Sequence, residues 1–311
     1  MAAVICGSLA FDTIMTFEGR FAEQILPDQL HILNVSFLVP ALRRDFGGCA
    51  GNIAYCLKLL GGDPLPMATV GSDGAEYIAR LRSLGIDTRW VREVSDTYTA
   101  QAMIMTDRDN NQITAFHPGA MMQSQLNRVT AVGDAAIGIV APDGRDGMLQ
   151  HAAEFAAKGT PFIFDPGQAM SLFSGEEFRA FIEQADYVAV NSYEASLLSE
   201  RTGWPEAEIA SKVKAYIVTH GADGSVIHAD GATHEIPAAK PGAVVDPTGC
   251  GDAYRAGLLH GLLKGFDWPT TGRIASLMGA LKIAQPGTQN HRFSADEFAA
   301  EFKRQFLCDL P

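Results

Sequence analysis

A chain of 311 residues that is 47% hydrophobic and 19% charged carries enough apolar surface for a large α/β body and is not disordered by composition. Its formal net charge of −12 argues against a partner that tracks a nucleic-acid backbone, though a small anionic ligand stays open because local charge decides that. Five scattered cysteines without a CxxC pair suit free thiols in a reducing cytoplasm, and no apolar run approaches the about 18 residues of a membrane span.

The N-terminal stretch "MAAVICGSLAFD" has no basic leader region and meets its first charge at Asp12. It reads as a first strand, with Asp12 at its end, and not as a signal peptide. Thr13 to Arg44 contains no clean helical pattern. "GNIAYCLKLLGG" and "GAEYIARLRSLG" then place apolar residues at three- and four-residue spacing and stop at glycine, as helices do. Cys49 and Cys56, seven apart on the first of these, are taken as packing residues. Between and after them come short runs rich in Val, Ile or Phe: "PMATVG", "AIGIVA", "PFIFDPG", "YVAVN" and "AYIVTHG". Continuous apolar strands alternating with helices predict βαβ units and a mostly parallel sheet covered on both faces.

Two hairpins interrupt this rhythm. Thr97–Met121 alternates along "TAQAMIMT", turns at Asp109-Asn110-Asn111 and resumes as "QITAFHP". It is either a flap over a ligand site or an extension of a sheet edge, and the pattern leaves both open. "SVIHADGATHEIP" turns at Asp230-Gly231. With no repeat or linker, the expectation is one domain over 1–311, with a small β lid from insertions at approximately 13–44 and 97–118.

Near the C-terminal end stands "VVDPTGCGDAYRAGLLHGL". Val244 and Val245 read as a strand end, and Pro247 biases Asp246 toward extended backbone. Gly249 and Gly251 free the backbone so that successive N–H groups can face one concavity. A helix predicted over Asp252–Lys264 adds its unbonded N–H groups and positive dipole end. The result is an anion hole suited to a phosphate. Asp252 either caps that helix or takes a proton from a hydroxyl while the hole holds the electrophile. Gly257, unfavourable inside a helix by about 1 kcal/mol relative to alanine, signals close helix packing. The chain has no Walker A motif and no histidine cluster of metal-ligand spacing.

"DPTGCGDAYRAG" resembles the C-terminal signature of the PfkB (ribokinase-like) carbohydrate kinases, an Asp-Thr-x-Gly-Ala-Gly-Asp run, with Pro247 in place of threonine and Cys250 in place of alanine. "GGCAGNIA" (47–54) is similar to the family's Gly-Gly-x-x-x-Asn-x-Ala signature, "GSLAFD" (7–12) to its first strand and sugar-binding aspartate, "NSYE" (191–194) to its Asn-x-x-Glu motif, and "VTHGADGS" (218–225) to its nucleotide stretch. Five motifs in order span nearly the whole chain. The resemblance implies a ribokinase-like fold and phosphoryl transfer from ATP with Mg²⁺. Asp252 would be the general base, with Gly249, Cys250 and Gly251 offering N–H groups to the transferring phosphoryl. It implies a sugar site at Asp12, Gly47, Gly48 and Asn52. ATP would contact Asn191, Thr219, Gly221 and Gly224, and Glu194 would meet Mg²⁺ through water. Asp246 is read as structural; in some relatives its loop holds a monovalent cation such as K⁺, which the sequence leaves open here. Cys250, at a helix start, is also a candidate reactive thiol.

"DNNQITAFHPGAM" (109–121) resembles the nucleoside- and adenosine-kinase-like branch. That implies a nucleoside phosphorylated on its 5′-hydroxyl, with Phe116 stacking on the base or, alternatively, buried in the core. Asn34, Gln29 and Arg108 are further polar candidates. A free-sugar kinase is the alternative, and a non-catalytic nucleoside- or sugar-binding regulator a third reading. A cytoplasmic protein without nucleic-acid or membrane partners is expected, with a homodimer left open.

Overall fold

The computed structural model describes residues 2–25, 31, 32 and 34–311; Gln29 lies outside them. The larger of its two sheets has nine strands, in the order β13-β12-β11-β10-β9-β8-β1-β4-β5. β1 (Ala2–Cys6), β4 (Asp63–Gly71), β5 (Val91–Val94), β8 (Ile137–Val140), β9 (Phe162–Phe164), β10 (Tyr187–Asn191) and β11 (Ala215–Thr219) run parallel to one another. β12 (Ser225–Ala229) and β13 (Ala232–Ile236) add the second hairpin as an antiparallel edge.

Successive side chains of these strands enter opposite layers, which is why the runs are apolar throughout. Ala3 and Ile5 join one core cluster with Ile139, Ile217 and Leu258, whereas Val4 and Cys6 join the other with Val140, Phe164 and Val218. The first layer includes α2 (Cys49–Leu59), α3 (Ala75–Ser83), α8 (Cys250–Lys264), α9 (Trp268–Ile283) and α10 (Ala295–Phe306). The second includes α4 (Arg145–Lys158), α5 (Gly175–Gln184), α6 (Ser192–Thr202) and α7 (Glu206–Lys212). Gly257 has its expected purpose: a Cβ there would come within 2.4 Å of the Ala275 Cα on α9.

The smaller sheet has the order β3-β2-β6-β7 and is the lid. β2 (Ala10–Thr16) and β3 (Ala41–Gly47) come from the first insertion, β6 (Ala100–Thr106) and β7 (Gln112–His117) from the second. Parallel pairing of β2 with β6 joins them. Among its described residues the first insertion holds one α-helical turn, α1 (Phe21–Gln24).

Two expectations are corrected. Asp12 does not end the first strand; β1 stops at Cys6, the chain bends through Gly7-Ser8, and Asp12 stands inside β2. The Ser8 carbonyl accepts the Ala50 N–H at 3.0 Å, so the bend is tied to α2 and no longer available to the sheet. Nor do Val244 and Val245 form a strand. They lie in an irregular segment, 74% and 52% exposed, and the Val245 N–H donates to the Ile283 carbonyl at the end of α9. With its donor taken by a helix end, β-branched propensity finds no strand partner.

Candidate active site

α8 begins at Cys250, two residues earlier than expected, with Gly249 before it at φ +78°. That left-handed geometry favours glycine, and Thr288 leaves no room either: a Cβ on Gly249 would lie 2.9 Å from its Cγ2. Gly251 needs no special backbone, yet a Cβ there would meet nothing within 4 Å, so its face is open space. The Cys250 N–H turns back to the Pro247 carbonyl at 3.2 Å. This corrects its expected place among the phosphate donors. The N–H groups of Gly251 and Asp252, in the first turn of α8, are the ones without an intrahelical acceptor.

Asp252 does not cap the helix: it lies inside the first turn of α8, and its carboxylate turns to a side chain on α2. Its Oδ2 accepts from the Asn52 Nδ2 at 2.8 Å. Cys49 and Asn52 sit three apart on α2 and so share a helix face. Burial pushes the Asp252 carboxyl up to about 7 against the lowering effect of Asn52, with Asp165 raising it further and Arg255 lowering it. A carboxylate poised near neutrality suits a general base. Cys250, by contrast, is pushed up to about 11 by burial, which keeps its thiol protonated and removes it as a reactive group.

Asn52 is 4% exposed, and its Oδ1 accepts from the Gln289 Nε2 at 3.1 Å. Gln289 also donates to the Tyr77 hydroxyl at 2.8 Å, and that hydroxyl donates to the Gly47 carbonyl at 2.6 Å. Asn52 thus bridges Asp252 and Gln289. The same chain of bonds ends at Gly47, beside Asp12. A Cβ on Gly47 would lie 2.4 Å from the Asp12 Oδ2, and Gly48, at φ +85°, starts α2 against the Ser8 carbonyl. Burial raises Asp12 to about 6, aided by Asp45 and Asp246 and opposed by Arg43.

Sheet register sets the rest of this surface. Asp45, Asp12, Ala102 and Phe116 are paired in one row across the four lid strands. Directly paired residues share a face. Phe116 therefore stands on the Asp12 face, two strands away, about 10 Å at the usual strand spacing. It is 55% exposed, which rules out the core alternative. Asn34 lies in exposed irregular chain before β3. Arg108 is exposed in the turn between β6 and β7, its N–H bonded to the Gly19 carbonyl at 3.0 Å, and is not brought beside Asp12.

On the other side of the Gly249 turn lies a cavity of about 340 Å³. Thr219, Gly221 and Gly224 line it as expected, together with Cys250 and Gly251. Its far wall is Ala239 together with Ser276, Gly279 and Ala280 of α9, which the sequence did not mark because small residues carry no chemical signature. The cavity is an apolar slot beside the Gly249 turn.

Asn191 and Glu194 form a capping box at the start of α6: Asn191 Oδ1 accepts the Glu194 N–H at 2.9 Å, and Glu194 Oε2 accepts the Asn191 N–H at 2.8 Å. Burial and the nearby Asp165 raise the Glu194 carboxyl, while Arg255 lowers it. Asp165 and Arg255 are a buried pair at 3.1 Å that the sequence did not reveal. No group of three or more His, Cys, Asp or Glu gathers as a metal cage among the described residues. A lone carboxylate such as Glu194 could meet a hydrated Mg²⁺ arriving with phosphates only through that ion's waters.

A parallel α/β body, a four-stranded lid sheet and a glycine-led helix start beside a paired carboxylate define a sugar-kinase architecture. Residues 18–294 match the pfkB family carbohydrate kinase description, and the chain belongs to that family. The match leaves the Asp12 segment outside it. The chain is 31% identical to a nucleoside kinase of Methanocaldococcus jannaschii over 294 residues, 94% of this chain and 93% of that protein. It superposes on the Burkholderia thailandensis nucleoside kinase in complex with inosine with a TM-score of 0.90, at 55% identity and 99% coverage of both chains. The same protein in complex with ADP-inosine gives 0.88 at 56% identity, covering 99% of this chain and 97% of that one.

Proposed function

We propose that the protein is an ATP-dependent nucleoside kinase that phosphorylates the 5′-hydroxyl of an inosine- or adenosine-like substrate. The observation that carries this reading is the row from Asp12 to Phe116, which offers a carboxylate for ribose and an aromatic face for a base on one side of the lid. The 55% identical Burkholderia relative, solved with inosine and with ADP-inosine, supports it.

In this reading Asp12 accepts the ribose hydroxyls and the lid's Asp12 face covers the base. ATP enters the slot beside Gly251 with its Mg²⁺, which neutralises phosphate charge when bound. Asp252, held by Asn52, takes the proton from the 5′-oxygen as that oxygen attacks. The first-turn N–H groups of α8 receive the charge of the transferring phosphoryl. The lid excludes water, the competing acceptor. Among the described residues no helix is long and apolar enough to cross a membrane. The cysteines are free, which suits a cytoplasmic location. The apolar Leu42, Met103 and Ile113, exposed on the opposite lid face, suit a homodimer joined through the lids.

The test is Asp252→Asn with inosine and adenosine, in a coupled assay of ADP release. Nucleoside binding by calorimetry should persist, and kcat should fall by about 10²–10⁴-fold. A variant within tenfold of the wild-type kcat removes Asp252 as the base. Ribose turning over faster than any nucleoside in the wild type would move the reading to a free-sugar kinase.

A further inference from the structure

The loop that shapes the anion hole contains a cation of its own. Lys282, near the end of α9, is 0% exposed. Its ammonium donates to the Asp246 carbonyl at 2.6 Å and to the Gln285 carbonyl at 3.3 Å. The surrounding bonds join the same two segments. The N–H groups of Val245 and Asp246 donate to the Ile283 carbonyl at 2.9 and 3.1 Å. The Asp246 carboxylate accepts the Gly287 N–H at 2.8 Å and the Thr248 N–H at 2.9 Å. Burial alone would raise that carboxyl; these donors and the Lys282 charge hold it below its usual value. One residue beyond Thr248 comes Gly249, and one residue beyond Gly287 comes Thr288, against which Gly249 packs.

A monovalent cation bound to this loop would need the same carbonyl oxygens. The Lys282 ammonium already occupies that cradle, so the residues present do not fit an added K⁺. We propose that Lys282 is a tethered replacement for a monovalent cation, a positioning residue that fixes the Asp246–Thr248 loop and through it the geometry of the anion hole. The protein should therefore be a kinase that needs no K⁺. The inference rests on the Gly249–Asp252 turn being the phosphoryl site, and it concerns the catalytic step more than nucleoside binding.

The experiment measures wild-type ADP release with inosine in potassium chloride and in choline chloride at equal ionic strength, beside Lys282→Met and Lys282→Ala. Wild-type kcat should agree within about twofold in the two salts. Lys282→Met, which keeps the length and removes the charge, should lose about tenfold or more in kcat with a much smaller change in the KM for inosine. In Lys282→Ala, ammonium but not choline should restore part of the lost kcat, a recovery that a merely packing role would not give. Wild-type activity that rises severalfold with K⁺ overturns the proposal whatever the variants do. So does a Lys282→Met protein with wild-type kcat, or a cooperatively melting Lys282→Ala that ammonium leaves unchanged. Absence of ADP release from the wild type in every salt would instead overturn the kinase reading on which this one stands.

Discussion

Asp12 and Asp252 carry the same functional group, yet their surroundings assign them different work. Asp252 has one strong donor, Asn52, and it stays half-buried at the cleft. Asp12 lies beside the side-chain-free Gly47 and near the negative Asp45 and Asp246. A substrate diol would give that carboxylate two donors at once. Loss of one hydroxyl should weaken the interaction by on the order of 1–3 kcal/mol. Accordingly, 2′-deoxyadenosine should show a kcat/KM about tenfold or more below that of adenosine in the wild type. In Asp12→Ala the gap between the two substrates should nearly close. Steady-state kinetics on the pair decides this, and an undiminished gap in the variant would place the 2′-hydroxyl elsewhere.

The lid is a two-part element, and its hairpin turn joins the parts. The Asp107 carboxylate accepts the N–H groups of Asp109 and Asn111, both at 2.9 Å, and that of Phe21 at 3.0 Å on the other insertion. Arg20 meets Asp109 at 2.8 Å alongside. Phe17, Phe21 and Phe37 gather beneath, with centroids 5.0 to 5.8 Å apart. None of these contacts uses Phe116, so its truncation should leave the lid folded. Base stacking on an aromatic side chain is worth about 1–3 kcal/mol. Phe116→Ala should raise the KM for inosine by about tenfold, with little change for free ribose and an unshifted Tm. Equal losses on both substrates, or a Tm lowered by several degrees, would mean that Phe116 supports the sheet and not the base.

At the scale of the whole molecule, the site works against the fold at neutral pH. Burial raises Asp12 to about 6, Asp252 to about 7 and Asp143 to about 8. Unfolded, such groups titrate near about 3.9. The folded chain therefore holds these protons more tightly. Their contribution favours folding below about pH 4 and is withdrawn as pH rises to about 6, 7 and 8 in turn. Asp252→Asn abolishes one such term while its amide oxygen can still accept from Asn52. Its Tm should exceed that of the wild type at pH 8, and the difference should shrink toward pH 5. Scanning calorimetry across that range provides the check; a Tm deficit equal at every pH would show that the carboxylate stabilises the fold. The same groups should appear in catalysis as a kcat/KM that falls below about pH 7.

Much of this was legible because it depends on local chemistry. The period of the apolar runs foretold a parallel sheet with two covered faces, and Gly249 with Asp252 marked the start of α8 as the proposed phosphoryl site. The lid's two insertions were visible as breaks in the strand–helix rhythm. Tertiary structure decided the rest, because those features are relations between distant residues. Asn52 orients Asp252 across 200 residues of sequence, and no spacing rule reaches that far. Val244 and Val245 have the propensity of a strand but lose their backbone partner to a helix end. Asp165 found Arg255, and Lys282 found the Asp246 carbonyl, only when the layers closed. Charges buried by folding must find partners there, and which partners they find is set by packing, not by the order of the chain.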